Sequence, residues 1–308
     1  GTIFLDDMKN NNLLKFPIER VKYNETNGTK YILSGQIVKY KESGKGQIDE
    51  VMDMENPGKI PMTNFKFSNR STGILPPAGS STGFSPDSKY HANLIIDSYD
   101  DAGNPNEQHK VNDISHSFIW DYHSRYLVAE ATNASQSDIA YTSFESDGKG
   151  NWTFSGTPFR ELLAPTGKKA YDISSGYITR SVNSATTYII SYWRPTSLSA
   201  LSIAGTISGY PISGRTVNGW KYYEHKVSGQ NVATISGSGS IDELRLYPVT
   251  AQMTTYTYEP LIGMTSQCDA SNRITYYEYD GFGRLALVKD QSKNVLKKLC
   301  YNYAGQPE

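Results

Sequence analysis

The 308-residue sequence predicts an all-β chain, an antiparallel β-sandwich or jelly roll flanked by the β-hairpins of a short repeat. Three observations carry this expectation. Short β-branched and aromatic runs alternate with clusters of Gly, Ser, Asn and Asp, which is the pattern of strands and turns. Tyrosine outnumbers phenylalanine 23 to 10, as suits sheet surfaces where a ring packs and its hydroxyl stays wet. The C-terminal part also repeats itself. Tyr256 and Tyr258 recur as Tyr277 and Tyr279, and Met264, Asp269 and Ile274 recur as Leu285, Asp290 and Val295, each 21 residues on. Self-similarity of this kind marks a supersecondary unit that buries its face only by stacking on the next.

Taken in order, residues 1–137 read as a lead-in β-region. Residues 30–40 alternate over two short strands, punctuated by Gly44-Lys45-Gly46. Residues 68–89, rich in Ser, Gly and Pro, read as a long loop. Residues 91–97 form a strand ending at a Tyr99-Asp100 turn, and 117–122 with 126–130 form a further hairpin. His91, His109, His116 and His123 are spaced 18, 7 and 7 apart with no cysteine nearby. Zinc needs three or four converging ligands, so these histidines, and His225 later, are expected to face solvent.

Residues 138–250 form the middle block. Segments 140–152, 170–173, 187–194, 220–227, 231–235 and 239–248 have strand character, and about eight short strands in about 110 residues favour a sandwich. A sugar site needs an aromatic face and planar polar side chains. Trp152 and Trp193 sit inside strand patterns and read as core. Trp220 follows a Gly-rich loop, 213–219, and is the better placed for exposure, so Trp220 and Tyr222 are the candidate ligand-binding residues.

Residues 251–308 carry the repeats: strand 274–279, turn 280–283, return strand 285–288, turn 290–294. A third copy starts at Tyr301 and Tyr303, after three extra residues, and breaks off at Gly305. Cys268 and Cys300 lie in this region without metal-site spacing and read as two separate thiols, buried or at an edge. Whether they approach within the roughly 7 Å needed for a disulfide is open at this point.

Several function classes find no support. A net charge of −1 points to neither nucleic acid nor an anionic membrane surface. No apolar run approaches the roughly 20 residues of a membrane helix. No signal peptide is evident, and Gly1 in place of Met suggests a processed start. No nucleophile elbow, zincin motif or phosphate loop is present. The adjacent carboxylates Asp100-Asp101 and Asp242-Glu243 should point to opposite faces of a strand, and so could not flank one bond. The expectation is a non-catalytic protein.

Two resemblances refine this. Tyr279-Asp280-Gly281-Phe282-Gly283-Arg284-Leu285 resembles the YD-repeat signature of the Rhs family, YDxxGRL, and Tyr99-Asp100-Asp101-Ala102-Gly103-Asn104 looks like a looser copy. The lead-in region is similar to that of Rhs-like proteins from Bacteroidetes. Such repeats form large β-sheet shells, often secreted or on the cell surface, some enclosing a toxin. The resemblance therefore implies an extracellular or cell-surface segment whose partner is the remainder of its own longer chain. Phe144-Glu145 followed by Gly150-Asn151-Trp152 is similar to the first strand of galactose-binding-like jelly rolls, and residues 241–246 to their last strand. In those families the first-strand Glu and last-strand Asp often hold a structural calcium, which implies Glu145 and Asp242 here. Calcium wants six to eight oxygens. Thr142-Ser143 replaces the family's usual Asn-Gly, and the other reading is a carboxylate hydrogen-bonded to a following loop. The implied function is adhesion or glycan recognition on a repeat scaffold. The alternative is a purely structural cap or scaffold of a repeat shell, as in a polymorphic toxin.

Overall fold

A computed structural model describes residues 3–13, 15–55, 58–68 and 84–301. The protein is all-β and antiparallel, and it divides into two compact units, 1–114 and 115–308. In the first unit a short helix, α1 (Ile3–Asn10), which the sequence reading lacks, precedes six strands. These are β1 (Glu19–Thr26), β2 (Thr29–Tyr40), β3 (Ile48–Met54), β4 (Ile60–Pro61), β5 (Tyr90–Tyr99) and β6 (Pro105–Lys110). They pair in the order β1-β2-β3-β5-β6, with β4 on β2. β2 runs unbroken where two short strands are expected. Asn27 and Gly28, both at positive φ, close the β1–β2 hairpin, as a two-residue turn of this composition does. Most of the expected long loop, residues 69–83, lies outside the described residues.

The second unit contains β7 (Ser115–Asp121), β8 (Tyr126–Thr132), β9 (Ala140–Thr142), β10 (Phe159–Arg160), β11 (Lys169–Asp172), β12 (Ile178–Ser181), β13 (Tyr188–Pro195) and β14 (Ile212–Val217). It continues with β15 (Trp220–Val227), β16 (Val232–Ile235), β17 (Ser240–Pro248), β18 (Gln252–Glu259), β19 (Gly263–Cys268), β20 (Ile274–Tyr279), β21 (Leu285–Lys289) and β22 (Val295–Lys298). Three layers result. A repeat sheet runs β7-β8-β18-β19-β20-β21-β22, a middle sheet runs β10-β11-β17-β13-β15-β14 with β9 on β17, and a small sheet pairs β12 with β16. β8 pairs directly with β18, Thr132 opposite Gln252, so residues 133–251 are inserted between two neighbouring strands of the repeat sheet.

The central strands of the middle sheet, β13 and β17, are buried on both faces. On one face Tyr188, Ile190, Tyr192 and Leu246 pack against Ile178, Ala233 and Ile235 of the small sheet. On the other, Tyr141, Ile189 and Tyr247 pack against Ile119, Val128 and Met253 of the repeat sheet. Trp193, Trp220 and Tyr222 meet Cys268, Ile274 and Tyr276 beside them. Two-sided burial explains why β13 and β17 are buried almost end to end rather than alternately.

The repeat has a local physical basis. At each turn the Asp side chain accepts from backbone amides two and four residues ahead: Ser271 and Arg273 at Asp269 (2.8 and 2.9 Å), Phe282 and Arg284 at Asp280 (2.9 and 3.0 Å), Ser292 and Asn294 at Asp290 (both 2.9 Å). The fourth turn residue is left-handed each time: Asn272, Gly283 and Lys293. Asp is suited to this because its short carboxylate reaches its own turn. In the first unit Asp100 repeats the pattern with Asn104, and Gly103 is left-handed. The periodic tyrosines tie strands together: Tyr258 donates to the carbonyl of Leu127, Tyr279 to Met264 and Tyr301 to Leu285, each at 2.9 Å. By this contact Tyr301 stands in the place of Tyr279, rather than of Tyr277 as the sequence alignment has it. Tyr303 and Gly305 lie outside the described residues.

Residues 138–250 expressed alone would expose Tyr141, Ile189, Trp193, Trp220 and Tyr247 as one apolar face. That fragment is expected to aggregate or to bind a hydrophobic dye, while residues 115–308 stay soluble and monodisperse in size-exclusion chromatography. A soluble, dye-silent 138–250 fragment would contradict two-sided burial.

Candidate functional site

Glu145 and Asp242, the residues implied for calcium, lie on either side of the segment 165–169, and the Glu145 charge is felt at Asp242. Glu145 follows β9 in a loop begun by Phe144 at positive φ (62°). Its Oε1 accepts from the amides of Lys168 and Lys169 at 2.7 and 2.5 Å, and its backbone carbonyl accepts from Lys169 Nζ at 2.7 Å. Asp242 Oδ1 accepts from the Glu243 amide at 2.6 Å and Oδ2 from the Thr166 amide at 3.0 Å. Three of these four carboxylate oxygens face N–H donors, and an ammonium sits on the adjacent carbonyl. That donor set does not fit Ca²⁺, which needs oxygens turned toward it. The geometry matches the other reading, carboxylates hydrogen-bonded to a loop.

Asp242 and Glu243 do not point apart as adjacent strand residues should. Between Ser191↔Arg245 and Trp193↔Asp242 the register slips, putting an extra residue on β17, and Glu243 is left-handed at φ 54°. This β-bulge re-aims the side chains. Thr166 Oγ1 ends up 3.0 Å from both Asp242 Oδ2 and Glu243 Oε2. One hydroxyl proton cannot serve two carboxylates, so a proton on Asp242 completes the chain from Asp242 through Thr166 to Glu243. Burial, and then the neighbouring Glu243 charge, push the Asp242 carboxyl well above the usual carboxylate range. The pair nevertheless offers a substrate nothing, because both side chains are sealed at 0 and 1% exposure.

Glu243 leads to a buried guanidinium. Arg245 Nη2 lies 2.8 Å from Glu243 Oε1 and 2.6 Å from Thr255 Oγ1. It also reaches the Cys268 carbonyl at 3.2 Å, and Nη1 reaches Asn272 Oδ1 at 3.2 Å. Tyr141 donates to Glu243 Oε2 at 2.7 Å. Arg245 is a residue sequence reasoning passed over. Its one signal was a third charge in the strand segment 241–246, which already carries Asp242 and Glu243.

Trp220 is 3% exposed and Tyr222 7%. The expectation that Trp220 stands out after a loop is corrected: residues 213–217 belong to β14, which pairs with β15 and lays Trp220 into the cluster of Trp193, Cys268, Ile274 and Tyr276. Tyr222 donates to Glu224 Oε2 at 2.8 Å and accepts from Asn272 Nδ2 at 2.7 Å. Trp152 and Trp193 are core, as read from their strand patterns. His225 is likewise not at the surface. It is 1% exposed between Tyr192 Oη (2.9 Å) and Thr206 Oγ1 (3.0 Å), and burial lowers its pKa to about 4. Cys268 is buried, its thiol pushed up to about 12 by desolvation, and Cys300 is exposed, so the two are unbonded. Beside Glu145 a cleft of about 220 Å³ is lined by Lys168, Glu259, Tyr276, Tyr277 and Glu278 among others. Lys168 and Glu259 already pair there at 2.5 Å.

No protein-family model matches the chain, and no curated protein matches it in sequence.

Two predictions follow from these contacts. Arg245→Met strands the Glu243 carboxylate and is expected to cost about 3–5 kcal/mol in urea unfolding, with Glu243→Gln in the same chain recovering part of it. A loss under about 1 kcal/mol would show that the guanidinium is dispensable. For Asp242, a folded-state pKa above the unfolded value of about 3.9 favours the neutral carboxyl, so its stabilising contribution is full below that pH and falls as pH rises. Asp242→Asn stays neutral and loses one acceptor at every pH. Its Tm relative to the parent protein should therefore improve steadily from about pH 4 to about pH 8. Parallel curves would refute a protonated Asp242. Added calcium should leave both melting temperatures unchanged, and a calcium-dependent rise abolished by Asp242→Asn would restore the metal.

Proposed function

We propose that this chain is a non-catalytic structural segment, in which the inserted sandwich braces a repeat sheet. One observation carries the reading: the sandwich presents its middle sheet to the repeat sheet, and the aromatic residues that could have formed a sugar platform are consumed in that contact. An exposed aromatic platform is what separates glycan recognition from scaffold. Trp152, Trp193, Trp220 and Tyr222 all favour scaffold. The resemblance to YD repeats supports placing such a scaffold in a larger shell at the cell surface or outside the cell, with the rest of its own chain as partner.

The insertion point makes the test direct. Thr132 and Gln252 are paired, so 133–251 can be replaced by a two-residue Asn-Gly turn. A bracing role predicts that this shortened chain loses amide protection across β18–β20, because Met253, Cys268 and Ile274 lose their cover. If β18–β20 stay protected and the protein stays soluble, the block is an independent module and adhesion becomes the better reading.

A further inference from the structure

We propose that the loop 198–209, which joins β13 to β14, is an acid-released strap: His225 latches it, and uptake of a second proton by that imidazole frees it.

The latch is a chain of hydrogen bonds with one allowed direction. Thr206 Oγ1 donates to the Ile203 carbonyl at 2.6 Å. Its single proton is then engaged, so at 3.0 Å it accepts from His225 Nδ1. Tyr192 Oη accepts from the Leu201 amide at 2.8 Å and gives its own proton to His225 Nε2 at 2.9 Å. These partners assign the imidazole as neutral and protonated at Nδ1. A proton added at Nε2 meets the Tyr192 O–H head-on. The Tyr192 proton then loses its acceptor, in a site where His225 is 1% exposed.

The neighbouring groups do not offset the added charge. β13 contributes Tyr192 and Arg194 to this face, and β17 contributes Ile241, Leu244 and Leu246. On β15, Lys221 and Tyr223 share the face of His225. Glu224 of β15, bonded to Tyr222, lies on the other face with Lys226, as does Arg215 of β14 beside Trp193. Arg180 of β12 is taken up by the carbonyls of Asn151 and Ser137. The loop itself carries no titratable side chain. Burial lowers the His225 pKa to about 4.

Apart from the latch, the strap is lightly held. Leu201 (6% exposed) and Ile203 (5%) insert beside Tyr192, Tyr223 and Val227. The Ile207 amide donates to the Lys226 carbonyl at 2.9 Å, and the Ser228 amide to the Gly205 carbonyl at 3.0 Å. Arg194 Nη1 holds the Ser199 carbonyl at 2.7 Å. Ser202, Ala204, Ser208 and Gly209 face solvent. A segment with so few buried contacts opens before the core does. Opening wets the His225 ring, whose pKa then returns to about 6.5. The closed strap is therefore fully favoured above about pH 6.5 and loses ground as pH falls toward about 4. Within that window opening rises about tenfold per pH unit, about 300-fold in all. Release uncovers the apolar seat of Leu201 and Ile203, whether or not the sandwich braces the repeat sheet.

The test is amide exchange of the full chain, read in ¹H–¹⁵N spectra from about pH 7 to about pH 4. Chemical exchange of an open amide slows as hydroxide falls, so reference amides in the β21–β22 hairpin should slow steadily on acidification. The amides of Leu201, Ile207 and Ser228 should instead keep a nearly constant rate between about pH 6.5 and about pH 4, because rising opening offsets falling hydroxide. They should also exchange faster than the amides of β13, as a strap that opens by itself requires. His225→Gln, whose side-chain oxygen accepts from Tyr192 and does not titrate, should restore the ordinary slowing. The proposal is overturned if these amides slow like the reference hairpin, if they exchange no faster than β13, or if His225→Gln leaves the profile unchanged. Should that variant not fold, the comparisons within the parent protein decide.

Discussion

A single guanidinium, Arg245, sets how the two large sheets of the second unit meet. Apolar burial brings the sheets together but has no direction. A buried charge does have direction, because leaving any of its donors without an acceptor in a low-dielectric interior is costly. The acceptors around Arg245 come from its own strand (Glu243), from β18 (Thr255, Met253), and from the end of β19 with its turn (Cys268, Asp269, Asn272). Only one alignment of the middle and repeat sheets supplies all of them. Tyr276, whose hydroxyl donates to the Pro165 carbonyl at 2.7 Å, fixes the same alignment from the repeat side.

The bulge at Glu243 follows from the same need. A regular β17 would send Asp242 and Glu243 to opposite faces, leaving one acid without Thr166 and the other without Arg245. The extra residue and the left-handed φ gather both acids at one place. Burial, and then the Glu243 charge, favour a neutral Asp242, which relieves the cost of crowding two acids, and the Thr166 hydroxyl lies between them. The segment 165–169 is held by its amides on Asp242 and Glu145, so the carboxylates that resemble a calcium pair act as anchors for a loop.

The fold class and the strands of the middle block were legible because they depend on composition and short alternation. The positions 187–194, 220–227 and 239–248 agree with β13, β15 and β17 to within a residue or so. The exposure of individual residues was not legible. Alternation separates inside from outside only when one face of a sheet is wet, and here the central strands β13 and β17 have no wet face. Trp220 was read as exposed because it follows a Gly-rich stretch, and His225 as solvent-facing because it lacks a ligand set; both are in fact covered. The stretch 213–217 has the composition of a loop yet belongs to β14, and Gly214 is required there by the approach of Tyr222. In the first unit the Asn27-Gly28 turn was a readable hairpin signal that the alternation of 30–40 overshadowed.

The contrast between the repeats and the candidate site has one physical origin. In the repeat turns each Asp satisfies amides no more than four residues away, and the left-handed residue sits at a fixed offset from it. Interactions that close within one turn must recur at constant spacing, so they print themselves on the sequence as a motif. The contacts of the buried network span far larger separations: 76 residues from Thr166 to Asp242, 102 from Tyr141 to Glu243, 27 from Arg245 to Asn272. No spacing rule can encode them, because the segments that separate the partners are free to change in length without moving either end. A repeat sheet can therefore advertise itself in sequence while the buried network that seats the inserted block on it stays silent until the chain is folded.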